Sequence, residues 1–188
     1  MKPLFINLLI TLSVIGAAAA LYPRTKLLVE EVADSTLPRL MPVSEDWTAT
    51  SVADGDTITV KRGNETKKIR LCGINAPEGK HGKATGQPHG DEAKEKLRSL
   101  VALAKNQVII IPIETDRYGR TVAEVVAEVS GAWGIELSFQ EEMLKSGNAY
   151  FDSNALNCPN HDAFEKAEQI AKANGAGVWG KRKRENLE

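Results

Sequence analysis

Between Trp47 and Ile74 the chain places three stretches of Thr, Val and Ile between two turn signals, and this succession narrows what it can fold into. Trp47–Ala53, Thr57–Arg62 and Lys67–Ile74 are rich in residues that suit a pleated, half-buried surface. Asp54-Gly55-Asp56 and Arg62-Gly63-Asn64-Glu65 read as the turns between them. A meander of three short strands is the start of a small barrel.

The remaining elements follow by pattern. Pro77 through Gly90 is a loop with Gly79, Gly82, Gly86 and Gly90 set among Lys80, His81, Lys83 and His89. Long loops of this kind in small domains are often functional. Spacings of three and four between Ala93, Leu97, Leu100, Val101 and Ala104 predict a helix over Asp91–Lys105, with Asp91 and Glu92 at its positive end. Val108–Ile113, apolar throughout, predicts a buried fourth strand, and Thr121–Val129 a fifth. Ser138-Phe139-Gln140-Glu141 is a capping box opening a helix to Lys145, closed by Gly147. Asn160 is the expected N-cap of a last helix, Asp162–Ala173, which Gly175 stops. Strands followed by helices in this order predict an α+β domain: a five-stranded OB-type Greek-key β-barrel packed against three helices.

Composition supports one such domain. The 188 residues are 42% hydrophobic and 26% charged, as expected of a globular body. The formal net charge is −1, which excludes binding to nucleic acid by bulk electrostatics and requires any such activity to come from a local site. Ahead of the domain, Lys2 precedes an apolar run from Leu4 to Leu21 that ends in small residues. Residues 1–21 are therefore expected to be a signal peptide or a membrane anchor: Ala18-Ala19-Ala20 offers a cleavage site, and the run of about 18 residues is near the ~17 that span a bilayer. Residues 22–45, with Pro23, Pro38 and Pro42, are the expected linker, 46–180 the domain and 181–188 a basic tail. The two cysteines, Cys72 and Cys158, are either a disulfide in an exported chain or two independent small hydrophobes. No Cys/His cluster has zinc spacing.

Three polar segments interrupt the strand pattern. Asp54 and Asp56, at i and i+2, project to one side of an extended backbone and can present hard oxygens to a cation, although Asp-Gly turns are common without one. Arg70 breaks an apolar strand and either points outward or serves a pocket. Glu78 follows a proline that can hold a carboxylate over a cleft. Glu114-Thr115-Asp116-Arg117-Tyr118-Gly119-Arg120 is a polar turn with two arginines around an aromatic ring. Together they supply what hydrolysis of a phosphodiester requires. Paired guanidinium donors answer the charge that grows on the phosphate oxygens. A carboxylate can take the proton of the attacking water, and a hard cation can neutralise a phosphate oxygen.

The ordered set Asp-Gly-Asp-Thr, Ile-Arg-Leu-x-Gly-Ile-x-Ala-Pro-Glu and Thr-Asp-Arg-Tyr-Gly-Arg resembles the staphylococcal nuclease (thermonuclease) family. The likeness runs from about Trp47 to Trp179 and includes Glu-Met-Leu-Lys-Ser-Gly-Asn-Ala and Ala-Gly-Val-Trp. It implies an OB-fold, calcium-dependent nuclease acting on DNA and RNA and leaving 3′-phosphate ends. By matching position it implies that Arg70 and Arg120 bind the reacting phosphate and that Glu78 is the general base. Asp56 falls on a direct Ca²⁺ ligand, Asn75 on a second carboxylate ligand, Ala76 on a backbone-carbonyl ligand, and Asp54 beside the metal. Tyr118 falls at the nucleotide pocket, with Arg117 next to it. Asn75 departs from the family pattern and removes one negative charge, which implies weaker calcium binding or another metal preference. The family's tyrosine near the base is not evident after Gly147, where Tyr150-Phe151-Asp152-Ser153 stands. His81 and His89 are expected as loop residues near the substrate, and the chain is expected to act as a monomer. The alternative is a non-catalytic module of the same fold that binds nucleic acid or protein; such a module has no need of Arg70, Glu78 and Arg120 together.

Overall fold

The structure, a computed structural model, describes residues 44–80, 82, 85–129 and 135–180. The expectations for the signal or anchor, for most of the linker, for His81 and for the basic tail lie outside the described residues. No helix among the described residues is long and apolar enough to cross a membrane.

Three strands form at the Thr/Val/Ile stretches, β1 (Glu45–Asp54), β2 (Thr57–Arg62) and β3 (Glu65–Leu71), but the third starts at Glu65 and breaks at a Cys72-Gly73 turn instead of running to Ile74. β1 begins ahead of Trp47 because Glu45 pairs with Ile110, and its carboxylate accepts the Trp47 indole N–H at 2.8 Å. A two-residue ribbon strand, β4 (Ile74–Asn75), follows β3. Then come the helix α1 (Gly90–Leu103), β5 (Gln107–Thr115), β6 (Thr121–Val129) and β7 (Ile135–Ser138). The chain ends with α2 (Phe139–Lys145), β8 (Tyr150–Phe151), α3 (His161–Asn174) and a 3₁₀ turn at Gly177–Trp179.

The large sheet has the order β3-β2-β1-β5-β6-β7. A parallel pairing of β3 with β6, from Ile69↔Thr121 to Leu71↔Ala123, closes five of these strands into a barrel. The OB-type barrel with three helices is therefore present. Three short strands join the five expected ones: β7 on the far half of β6, and the separate β4–β8 ribbon. Between the β3 and β7 pairings, the edge of β6 exposes the Val125 N–H next to the Ala123 carbonyl, which already accepts the Cys72 N–H at 2.9 Å. The fully buried Gln140 fills that gap, accepting from Val125 N–H and donating to the Ala123 carbonyl. An amide side chain carries both a donor and an acceptor and so extends the ladder by one rung.

The core lies inside the barrel and under the helices. Ile58, Ile69, Leu71, Ile110, Leu97, Phe139, Met143 and Phe164 are almost wholly removed from water. β5 differs from expectation. Val108 and Ile110 are buried, whereas Ile109, Ile111 and Ile113 are half-buried. Alternate residues of a barrel strand face opposite sides, so an apolar run is not a run of interior residues.

Helix boundaries follow the caps with one exception. Ser138 accepts the Glu141 N–H, as the capping box predicts. Asn160 sits at the N-cap of α3, but its side chain makes no cap hydrogen bond. Its Nδ2 donates to Glu124 Oε2 at 2.6 Å, and its backbone N–H to Glu124 Oε1 at 2.8 Å. Glu124 is buried on β6, and a buried carboxylate without donors costs far more than an unsatisfied helix end. Cys72 and Cys158 form a disulfide, Cα–Cα 6.0 Å, that joins the β3–β4 corner to the segment before α3.

Candidate active site

Alternation along β3 decides where Arg70 goes. Ile69 and Leu71 point into the barrel, so Arg70 takes the other face and is half-buried there. Its Nη1 lies 2.8 Å from Asp56 Oδ2, and its Nη2 donates to Asn75 Oδ1 at 2.6 Å. The Nη1 contact is close, but no N–H of that nitrogen points in line at an acceptor, and the atom is shielded from water. Burial pulls the Arg70 pKa below its ordinary value, and the charge of Arg120 adds to that. The carboxylates of Asp56, Asp152 and Asp116 pull it back up. The guanidinium remains charged, as arginine does in proteins. It is held against two oxygens, one from Asp56 and one from Asn75.

Asp56 is itself fixed. It is buried; Oδ1 accepts from the Thr57 hydroxyl and Oδ2 from the Ala76 N–H, each at 2.9 Å. The turn that carries it is pressed against its neighbours at Gly55, where a Cβ would lie 2.7 Å from the Cβ atoms of both Ala76 and Ala93. Because Gly55–Asp56 is a tight hairpin turn, Asp54 and Asp56 do not share one side of an extended strand. Asp54 ends β1, opposite Thr57, and Asp56 lies within the turn. The i, i+2 expectation fails for that reason.

Glu78 is exposed and sits two residues beyond Ala76, after the buried Pro77. Its backbone is pinned at both groups: its N–H donates to Gln87 Oε1 at 3.1 Å, and its carbonyl accepts the Gln87 N–H at 2.8 Å. The loop then packs onto the start of α1 at Gly90, where any Cβ would collide with the Glu78 carbonyl. Only glycine permits that approach.

The second arginine is held locally. Asp116 Oδ2 accepts Arg120 Nε at 2.7 Å, while Oδ1 accepts the backbone N–H groups of Tyr118 and Arg120 at 2.9 Å each. Burial raises the Asp116 carboxyl, but the hydrogen bonds from Arg120 and Tyr118 outweigh it and leave the pKa below the usual aspartate value. Tyr118 is largely exposed, with the guanidinium of Arg117 4.9 Å and that of Arg120 5.5 Å from its ring centre.

Hard oxygen donors for a cation exist at Asp56, Asn75 and the Ala76 carbonyl, but the first two serve Arg70 as acceptors. Among the described residues no group of three or more His, Cys, Asp or Glu is arranged to hold a metal ion. The donor set fits a hard cation in type, with less negative charge than three carboxylates would give.

Sequence reasoning left three neighbours of the site without a role. Asp116 was legible as an Asx turn four residues ahead of Arg120. Gln87 and Tyr150 carried no such signal, since their places depend on loop closure and on the β4–β8 pairing.

Residues 68–181 match the family model described as "Staphylococcal nuclease homologue". The chain belongs to that family. It is 31% identical over 153 residues to Endonuclease Htp3 of Saprolegnia parasitica, an alignment covering 72% of this chain and 70% of that protein. It is 29% identical over 128 residues to the thermonuclease of Staphylococcus hyicus, covering 68% and 72%. It is also 32% identical over 123 residues to a probable endonuclease LCL3 of Komagataella phaffii, covering 64% of this chain and 52% of that protein. The chain thus spans about half the length of the yeast relatives it matches.

Proposed function

We propose that this protein is a calcium-dependent nuclease that hydrolyses phosphodiester bonds of DNA and RNA, with Arg70, Glu78 and Arg120 as its catalytic residues. The observation that carries the proposal is the setting of Arg70. A guanidinium half-buried and oriented between Asp56 and Asn75, near a second guanidinium that Asp116 holds in its turn, sets two forked cationic donors in place for an anion. A phosphate group is such an anion, and bidentate arginine contacts fix it. Membership of a family with relatives named endonuclease and thermonuclease supports the same reading.

In this mechanism Arg70 and Arg120 bind the non-bridging phosphate oxygens. They stabilise the charge that grows on them as a water oxygen attacks phosphorus. Glu78 takes the proton from that water. The bond to the leaving oxygen breaks, and that oxygen departs with the electron pair and takes a proton from solvent. Asp56, Asn75 and the Ala76 carbonyl would hold calcium, which when bound would supply Lewis-acid neutralisation of phosphate charge. Tyr118 and Arg117 flank the bound nucleotide. Export through residues 1–21, cleaved or retained as a tether, belongs to the same proposal.

The purified domain is expected to cut single-stranded DNA with calcium, to stop on chelation, and to lose about 10²- to 10⁴-fold of its rate as Glu78→Gln. Undiminished cutting in chelator or in the variant defeats the mechanism.

A further inference from the structure

A cleft of about 310 Å³ opens at Pro77, the residue before Glu78, and is walled also by Pro88, His89, Tyr150 and Val178. Its walls are continuous with the site. Pro77 lies between Ala76 and Glu78 in the chain, and Tyr150 is the register partner of Asn75. Gln87, which also lines the cleft, holds the Glu78 N–H.

The lining suits a flat aromatic ligand. Tyr150 is 41% exposed yet held from two directions. Its ring packs edge-to-face on Trp179, centroids 5.4 Å apart, and the adjoining Phe151 N–H donates to the buried Glu168 carboxylate at 2.9 Å. Such a ring is a preorganised stacking platform, since little side-chain freedom remains to be lost on binding. His89, also in the lining, adopts a left-handed backbone, φ 67° and ψ 7°, just ahead of α1. That conformation is disfavoured for a residue with a Cβ, and strain of this kind gathers where a side chain has a task. The cleft volume is at the small end of ligand pockets, the size for one base rather than a base pair.

We propose that this cleft is a nucleobase subsite. It takes the base of the nucleotide next to the reacting phosphate on the Glu78 side, stacked on Tyr150 with His89 at its edge. Tyr118 belongs instead to the turn that carries Arg120. A base can enter only when it is unpaired, so the subsite favours single-stranded substrate over duplex. The proposal rests on the nuclease reading and adds a second base contact to it.

The test uses the full chain carrying Glu78→Gln, which binds without cutting, and a short single-stranded DNA with 2-aminopurine at each position in turn. One position is expected to lose fluorescence on binding. Tyr150→Phe is expected to keep that loss. Tyr150→Leu, which still fills the space against Trp179, is expected to abolish it and to weaken binding on the order of tenfold. On a strand whose sites are all abasic, Tyr150→Leu is expected to bind as tightly as Tyr150. Equal affinity of the Tyr150 and Tyr150→Leu proteins for the base-bearing strand overturns the subsite. So does an equal weakening on the abasic strand, or failure to bind DNA at all. Cleavage by protein with Glu78 intact is scored separately: stacking without cleavage sinks the nuclease reading and leaves the subsite standing.

Discussion

Arg70 and Arg120 each lie against an aspartate, but the two pairs are built differently. Asp116 and Arg120 belong to one turn, four residues apart, and the same carboxylate also holds two backbone N–H groups of that turn. Asp56 and Arg70 come from a hairpin turn and a neighbouring strand, and the pair is completed by Asn75 from the next strand. The Arg120 pair is more open to water than the Arg70 pair, with arginine side chains 29% and 17% exposed. One arginine is placed within a single turn and the other by the β2–β3 pairing and the corner that follows β3. A site assembled from both depends on the fold mainly through Arg70.

The comparison can be broken in order of size. The disulfide anchors the Arg70 corner, since Cys72 is two residues from Arg70, and it closes a long loop, 86 residues in sequence. Replacing Cys72 and Cys158 with alanine is expected to lower stability by about 4 kcal/mol, read as a shift in the urea midpoint. A loss below about 1 kcal/mol would mean that the barrel alone holds this corner.

Conversion of either arginine to lysine removes the fork that grips phosphate, and is expected to reduce kcat by about 10²- to 10³-fold. The two variants should separate in stability. Arg70→Met leaves Asp56 buried without its cation and is expected to cost about 2 kcal/mol. Arg120→Met, at a more exposed turn, is expected to cost less than about 1 kcal/mol. Equal costs in thermal unfolding would remove the distinction drawn above.

Asn75→Asp restores a carboxylate beside Asp56. It is expected to tighten the calcium dependence of cleavage by about tenfold, and equal half-saturation in the two proteins would exclude Asn75 from the cation site. The smallest effect concerns pH. The Asp116 pKa is lowered on folding, so its contribution to stability is present above the unfolded value of about 3.9. That contribution fades as pH falls through the lower folded value. Asp116→Asn should flatten this acid limb of the stability profile and raise KM for DNA. An unchanged limb would show that Asp116 does not titrate with the turn.

Much of this was legible in the chain alone, for reasons that differ by region. The capping box at Ser138 and the apolar spacing of α1 act within a few residues, and both formed as predicted. Asn160 carried the same local signal, but the buried Glu124 outbid the helix end for its side chain. The apolar run of β5 did not reveal which isoleucines face inward, because a barrel reads out alternation and hydropathy does not.

The sequence by itself determined the strand meander, the Ser138 cap and the Asp116–Arg120 turn, because their partners lie within a few residues and short-range hydrogen bonding selects them. It also carried the ordered motifs that place the chain in its family. Only the tertiary structure decided that Arg70 meets Asp56 and Asn75, that Gln140 bridges the open edge of β6, and that Tyr150 stands opposite Asn75 beside the Glu78 loop. Except for Arg70 with Asn75, those contacts join residues that are not close in the chain. Their geometry exists only once β2 pairs with β3, β6 joins the barrel and the β4–β8 ribbon forms beside it.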